Sequence, residues 1–121
     1  MNASDVYRQQ SILTAPLPIK LAKLHERGAM LTRQIQKLAE ENDITTAREY
    51  IVQIEDILTF LRTSLNPDLE VSSYADATYI FYYNMAVSWF IDPSKVNEGY
   101  DSMLEFWESW AKTWIQVRYQ S

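Results

Sequence analysis

Apolar residues recur at intervals of four, three, four and three along two long segments of the chain. Leu17, Leu21, Leu24, Gly28, Leu31, Ile35 and Leu38 make the first series. Val96, Tyr100, Met103, Trp107, Trp110, Trp114 and Val117 make the last. An α-helix turns once in about 3.6 residues, so this spacing lays a single stripe along one helical face. A strand needs strict alternation, and no segment of the chain alternates. Between the two series, Ala47, Tyr50, Ile54, Ile57 and Leu61 make a third stripe, flanked by Ile51 and Leu58.

Turn chemistry separates these stretches. "ENDITT" interrupts the first pattern, "NPD" at Asn66 to Asp68 stops the second, and "DPS" at Asp92 to Ser94 precedes the last. Cap signals stand beside them. Thr14 precedes Pro16 and Pro18, which a first helical turn tolerates because its N–H groups lack helical partners. Thr46 and Glu49 have capping-box spacing, as do Ser73 and Asp76. Asp92 followed by Pro93 opens a further helix. The pattern predicts helices at 15–41, 46–64, 73–91 and 93–119, with residues 1–13 as an N-terminal arm or short helical turn. With 121 residues, the chain is expected to form one domain. Short connections predict an all-α fold, an antiparallel up-down four-helix bundle.

The third helix differs from the others. From Ala77 to Ile91 there are fifteen residues without Asp, Glu, Lys or Arg, in a chain that is 22% charged. A membrane span needs about 20 apolar residues, so the run is too short for one. A bundle helix buries a stripe of roughly 100° or a little more. This helix offers three. Ile80, Tyr83, Val87 and Phe90 form one, Tyr79, Tyr82, Ala86 and Trp89 the next, and Phe81 with Met85 a third. The surplus has two readings. In one, this is the most central helix, with tyrosine hydroxyls reaching solvent. In the other, the surplus is a groove that receives an amphipathic partner helix.

Composition removes several classes of function. Net charge is −5 and the sequence pI is about 4.8, which argues against a nucleic-acid binder and fits a soluble cytosolic protein. Cysteine is absent, which excludes disulfides and thiolate metal sites. "MNASDVYRQQ" lacks the basic and apolar regions of a secretory signal. His25 is the lone histidine, and Ala22 rather than Glu stands three residues before it, so a di-iron bundle site is not encoded. A surface or flanking position is expected for it. Glu98, Asp101, Glu105 and Glu108 read as the solvated face opposite the tryptophan stripe. Trp107, Trp110 and Trp114 read as core rather than as a stacking platform. Lys20, Lys23 and Arg27 form a basic edge on the first helix. No catalytic residue, cofactor or metal is expected, and an enzyme or ligand carrier has little sequence to support it.

The order of several short motifs resembles the FliS family of flagellin-specific export chaperones. The arm "YRQQSILTAPLP" is similar to that family's opening, through Tyr7, Gln10, Ile12, Thr14, Ala15 and Pro16 or Pro18. Gly28 and Ala29 match a Gly-Ala in its first helix. "IEDILTFLRTSLNPD" resembles its second helix and following turn, "IFYYNMAV" the opening of its third, and Trp114 stands where the last helix usually carries a tryptophan. The family's Leu-Tyr-Asp-Gly is replaced here by "LHERG". The resemblance covers nearly the whole chain. It implies a cytoplasmic helical-bundle chaperone that binds the disordered C-terminal segment of flagellin. Such a protein prevents premature polymerisation and assists delivery to the flagellar type III export apparatus, with no catalysis, no membrane insertion and no nucleic acid. Partner-facing residues are then expected at Tyr7, Ile12 and Leu13 in the arm, and at Tyr79, Tyr82, Met85 and Trp89 on the third helix. The alternative is a homodimeric bundle that uses its surplus apolar surface on itself.

Overall fold

The computed structural model describes residues 17–120, the side chains of 17, 71 and 116–120 excepted. The arm over 1–13, with Tyr7, Ile12 and Leu13, and the expected cap at Thr14 lie outside the described residues. Within them the chain forms α1 (Leu17–Glu40), α2 (Ile44–Thr63), α3 (Glu70–Ile91), a 3-10 turn (Pro93–Lys95) and α4 (Val96–Gln120), with no strand. The fold is a four-helix bundle.

Each connection has a local cause. α1 ends on Asn42, which takes a left-handed φ of 61°, a conformation asparagine tolerates better than most residues. The Asn42 N–H donates to the Ala39 carbonyl and the Asp43 N–H to the Leu38 carbonyl, the paired bonds of a Schellman cap. Asp43 then starts the next helix, its carboxylate accepting from the Thr46 N–H. α2 therefore begins at Ile44, ahead of the expected Thr46 cap, because one aspartate serves both helix ends. In the next turn the Asn66 side chain accepts from the Asp68 N–H. α3 begins at Glu70, behind a Leu69 cap without a side-chain bond. The expected Ser73 cap lies inside the helix, and Glu70 supplies the negative charge that a helix N-terminus favours. Asp92 caps as expected, accepting from the Ser94 N–H at 3.1 Å and hydroxyl at 2.6 Å, but it opens the 3-10 turn rather than α4 directly.

The helices meet along unequal seams. α1 packs along both α2 and α4, and α2 along α3. α3 and α4 are consecutive, yet their backbones stay apart over most of their length. The core draws on the expected stripes, with Leu21, Leu31 and Ile35 from α1, Ala47, Ile54 and Leu61 from α2, and Val96, Met103 and Trp107 from α4 all buried. It also draws on the flanking Ile51 and Leu58 of α2, which are buried more deeply than the stripe's Tyr50. Each of the larger side chains contributes roughly 1.5–3 kcal/mol on burial. Gly28 makes the α1–α4 seam possible. A Cβ there would fall on the buried Trp107 indole, so glycine lets the ring lie against the α1 backbone.

Candidate docking surface on α3

With no charge between Ala77 and Ile91, every side of α3 tolerates burial, and packing decides which side is used. Ala75, Tyr79, Ala86 and Trp89 turn inward and are buried; Tyr82 completes the stripe half-buried. This corrects the expectation for two residues. Tyr79 is 0% and Trp89 1% exposed, so both are core side chains of the free protein, Trp89 reaching only the floor of the cleft described below. The small Ala75 and Ala86 let α3 lie close to its neighbour, and the two large rings fill the space around them. The inward stripe is thus the tyrosine-tryptophan one.

Tyr82 belongs to the seam between α3 and α4. Its ring stacks on Phe106 at 4.3 Å between centroids and 16° between planes, and its hydroxyl shares a 2.8 Å hydrogen bond with the Ser102 hydroxyl. Met85 is half-buried beside it, against Gly99 of α4. On the flank toward α2, the Arg48 guanidinium stands over the Phe90 ring at 5.6 Å.

The remaining side of α3 faces outward. Phe81 is 58% and Ile91 72% exposed. Beside Phe81 a cleft of about 390 Å³ opens between α3 and α4. Phe81, Asn84, Met85, Ser88 and Trp89 line it from α3; Lys95, Glu98 and Gly99 line it from the turn and α4. Its apolar groups come from Phe81, Met85 and Trp89, and its charges stand on the α4 rim. Of the expected site residues, Tyr82 and Met85 are brought together here, and Tyr79 and Trp89 lie inside. Phe81, read as part of the third apolar stripe, and Gly99 were not among the expected site residues. Asn84 and Ser88, polar and four apart in an otherwise apolar run, were the signal that marks this outer side.

The buried polar groups lie elsewhere. His25, expected at a surface or flanking position, is fully buried. Its Nδ1 lies 2.6 Å from the Leu21 carbonyl and its Nε2 3.1 Å from the Tyr79 hydroxyl. A carbonyl only accepts, so Nδ1 carries the proton and Nε2 accepts from the tyrosine. The Phe106, Trp107 and Trp110 rings surround the imidazole. Burial holds its pKa down at about 4, against the partial counter-effect of the Leu21 carbonyl, and burial raises that of Tyr79. The pair is sealed from solvent and holds α1 to α3; no substrate reaches it. Trp107 Nε1 is buried without a partner. Glu98, Asp101, Glu105 and Glu108 are exposed along α4, Glu108 pairing with Arg33 at 2.5 Å. Among the described residues no group of three or more His, Asp or Glu gathers as a metal site, and no helix is long and apolar enough to cross a membrane.

The family model for "Flagellar protein FliS" matches residues 1–121. The chain belongs to the FliS family. FliS proteins are flagellar chaperones, a role that turns on surfaces rather than on reactive groups. A solved structure described as "Crystal structure of flagellar chaperone from bacteria" shares the fold, with a TM-score of 0.80, covering 99% of this chain and 100% of that one. Its sequence is 14% identical, a likeness that speaks for the fold alone. No curated protein sequence matches the chain. Within this FliS bundle, the outward side of α3 and its cleft present Phe81, Met85 and Ile91 as apolar groups that the bundle does not fully cover.

Proposed function

We propose that this FliS chain is a cytosolic export chaperone that binds the disordered C-terminal segment of flagellin, keeps it from polymerising early and assists its delivery to the flagellar export apparatus. The observation that carries the reading is the outward side of α3, where Phe81 and Ile91 stand exposed beside the cleft that Met85 lines. An amphipathic helix docks on such a surface by its apolar face. A segment disordered before binding loses conformational freedom on docking, so it needs a long contact to bind tightly, and a whole helix face provides one. Phe81, Tyr82 and Met85 make the contact in this reading, while Tyr79 and Trp89 support it from beneath. Tyr7, Ile12 and Leu13 of the arm are further contacts in this reading. The chain acts by binding, without catalysis or cofactor.

Calorimetric titration with a peptide of the flagellin C-terminus tests this. The folded protein should bind, and Phe81→Asp should weaken binding about tenfold or more while the melting temperature stays within a few degrees. No heat of binding at tens of micromolar, on the order of 6 to 7 kcal/mol of affinity, would sink the reading. Sedimentation of the free protein as a dimer that Phe81→Asp dissociates would instead assign the surface to a second copy of the chain.

A further inference from the structure

The chain has two glycines in 121 residues, and both lie inside helices. Glycine weakens a helix relative to alanine, so each position calls for a reason. At Gly28 the reason is the rigid indole of Trp107 in the core. At Gly99 it is different. A Cβ there would lie 2.5 Å from Met85 Sδ, 3.1 Å from its Cε and 3.3 Å from its Cγ. The first of these is closer than atoms pack, yet the neighbour is an unbranched, flexible thioether that can move.

The surroundings decide where it would go. Trp89, buried on the same helix, closes the inward direction. Phe81, Asn84 and Ser88 stand on either side along α3. The open direction is the cleft itself. Met85 now lies against the bare α4 backbone at Gly99, and the space above it is the cleft of about 390 Å³.

We propose that Gly99 is a positioning residue for docking: by letting Met85 lie against α4 it sets the depth of the α3–α4 cleft, and so decides whether an apolar side chain of flagellin's helical segment can enter. The inference rests on the docking reading above. Gly99 touches the partner little; it acts through Met85. A methyl group at 99 lifts the thioether into the cleft and fills the place of the incoming side chain. The helix gains by it, since alanine is the better helix former, and the adjustment falls on the flexible Met85 side chain.

The test is a double-mutant cycle on the full chain, titrated with the flagellin C-terminal peptide, with each variant's melting temperature measured alongside. Gly99→Ala should melt at or above the wild-type temperature and bind about tenfold more weakly. In a Met85→Ala background the same Gly99→Ala change should cost no affinity, because the displaced side chain is gone. A position that mattered only for folding would lower the melting temperature and show no such dependence on Met85. Methyl-labelled methionine gives a readout that needs no partner: the Met85 methyl should become more accessible to a dissolved paramagnetic probe in Gly99→Ala. Wild-type binding left intact by Gly99→Ala, or an equal loss with and without Met85, overturns the assignment of Gly99 alone. A folded wild-type protein that does not bind the peptide overturns the docking reading and this inference with it.

Discussion

At His25 the cost of a proton is set by what surrounds the ring. Its Nδ1–H already donates to the Leu21 carbonyl, its Nε2 accepts from Tyr79, and aromatic rings occupy the rest. A second proton would need to displace the Tyr79 bond and bring charge into an apolar core. The native imidazole therefore titrates near 4, against about 6.5 in the unfolded chain. A depressed native pKa gives stability that is fully present above about 6.5 and is lost as pH falls toward 4, in total on the order of 3 kcal/mol. Glu55 acts in the opposite sense, because burial and then Asp56 raise its pKa; it is partly exposed, so its effect is the smaller. Urea unfolding of the wild type should show stability dropping between pH 7 and pH 5. In His25→Gln the drop should be much reduced, whatever the variant's stability at pH 7. Equal pH slopes for the two proteins would show that the ring is not the titrating group.

At the scale of the elements, the C-terminus of α3 depends on a neighbour. No basic residue stands in its last turn, so the negative end of its dipole is not balanced from within. Arg48 of α2 balances it from outside: its Nε donates to the Phe90 carbonyl at 2.9 Å and its Nη2 to the Ile91 carbonyl at 3.5 Å, while the guanidinium covers the Phe90 ring. Arg48→Ala should lower stability by about 1–2 kcal/mol, the sum expected of a charge-assisted bond and a helix-end charge. Arg48→Lys should recover part of that through charge alone. Chemical denaturation distinguishes the three, and an unaffected Arg48→Ala would mean that solvent replaces the cap. How far the elements were legible in the sequence follows from the same local physics. α1, α2 and α4 carry polar residues between their apolar ones, so the stripe facing the core could be read. α3 has little of that contrast over fifteen residues, with Asn84 and Ser88 as its main polar marks, and a periodicity needs contrast to point clearly; packing against the neighbouring helices settles the inward side. His25 was misjudged because its tyrosine partner stands 54 positions away. The start of α2 moved because Asp43 closes one helix and opens the next, which a reading of one helix at a time does not capture.

In the whole molecule the seams rank the helices. α1 has a neighbour along each side, α2 and α4. α3 has α2 along one side, but toward α4 it reaches mainly through side chains, with Tyr82 on Phe106 and Met85 on Gly99. Fewer backbone contacts and an open cleft mark the part of a fold that opens most easily. α3 should therefore exchange its amide hydrogens through a partial opening rather than through global unfolding. Native-state hydrogen exchange should place α3 below α1 by roughly 1–2 kcal/mol of opening free energy, within the span between local and global opening that native proteins show. If flagellin's segment docks along the α3–α4 seam, it stabilises the closed form by mass action. Saturating peptide should then raise α3 protection toward that of α1 while changing α1 little. Uniform protection of α1 and α3 in the free protein would mean that the side chains across the seam hold as firmly as the backbone packing does elsewhere. A peptide that protected α1 instead would place the docking surface on a different seam.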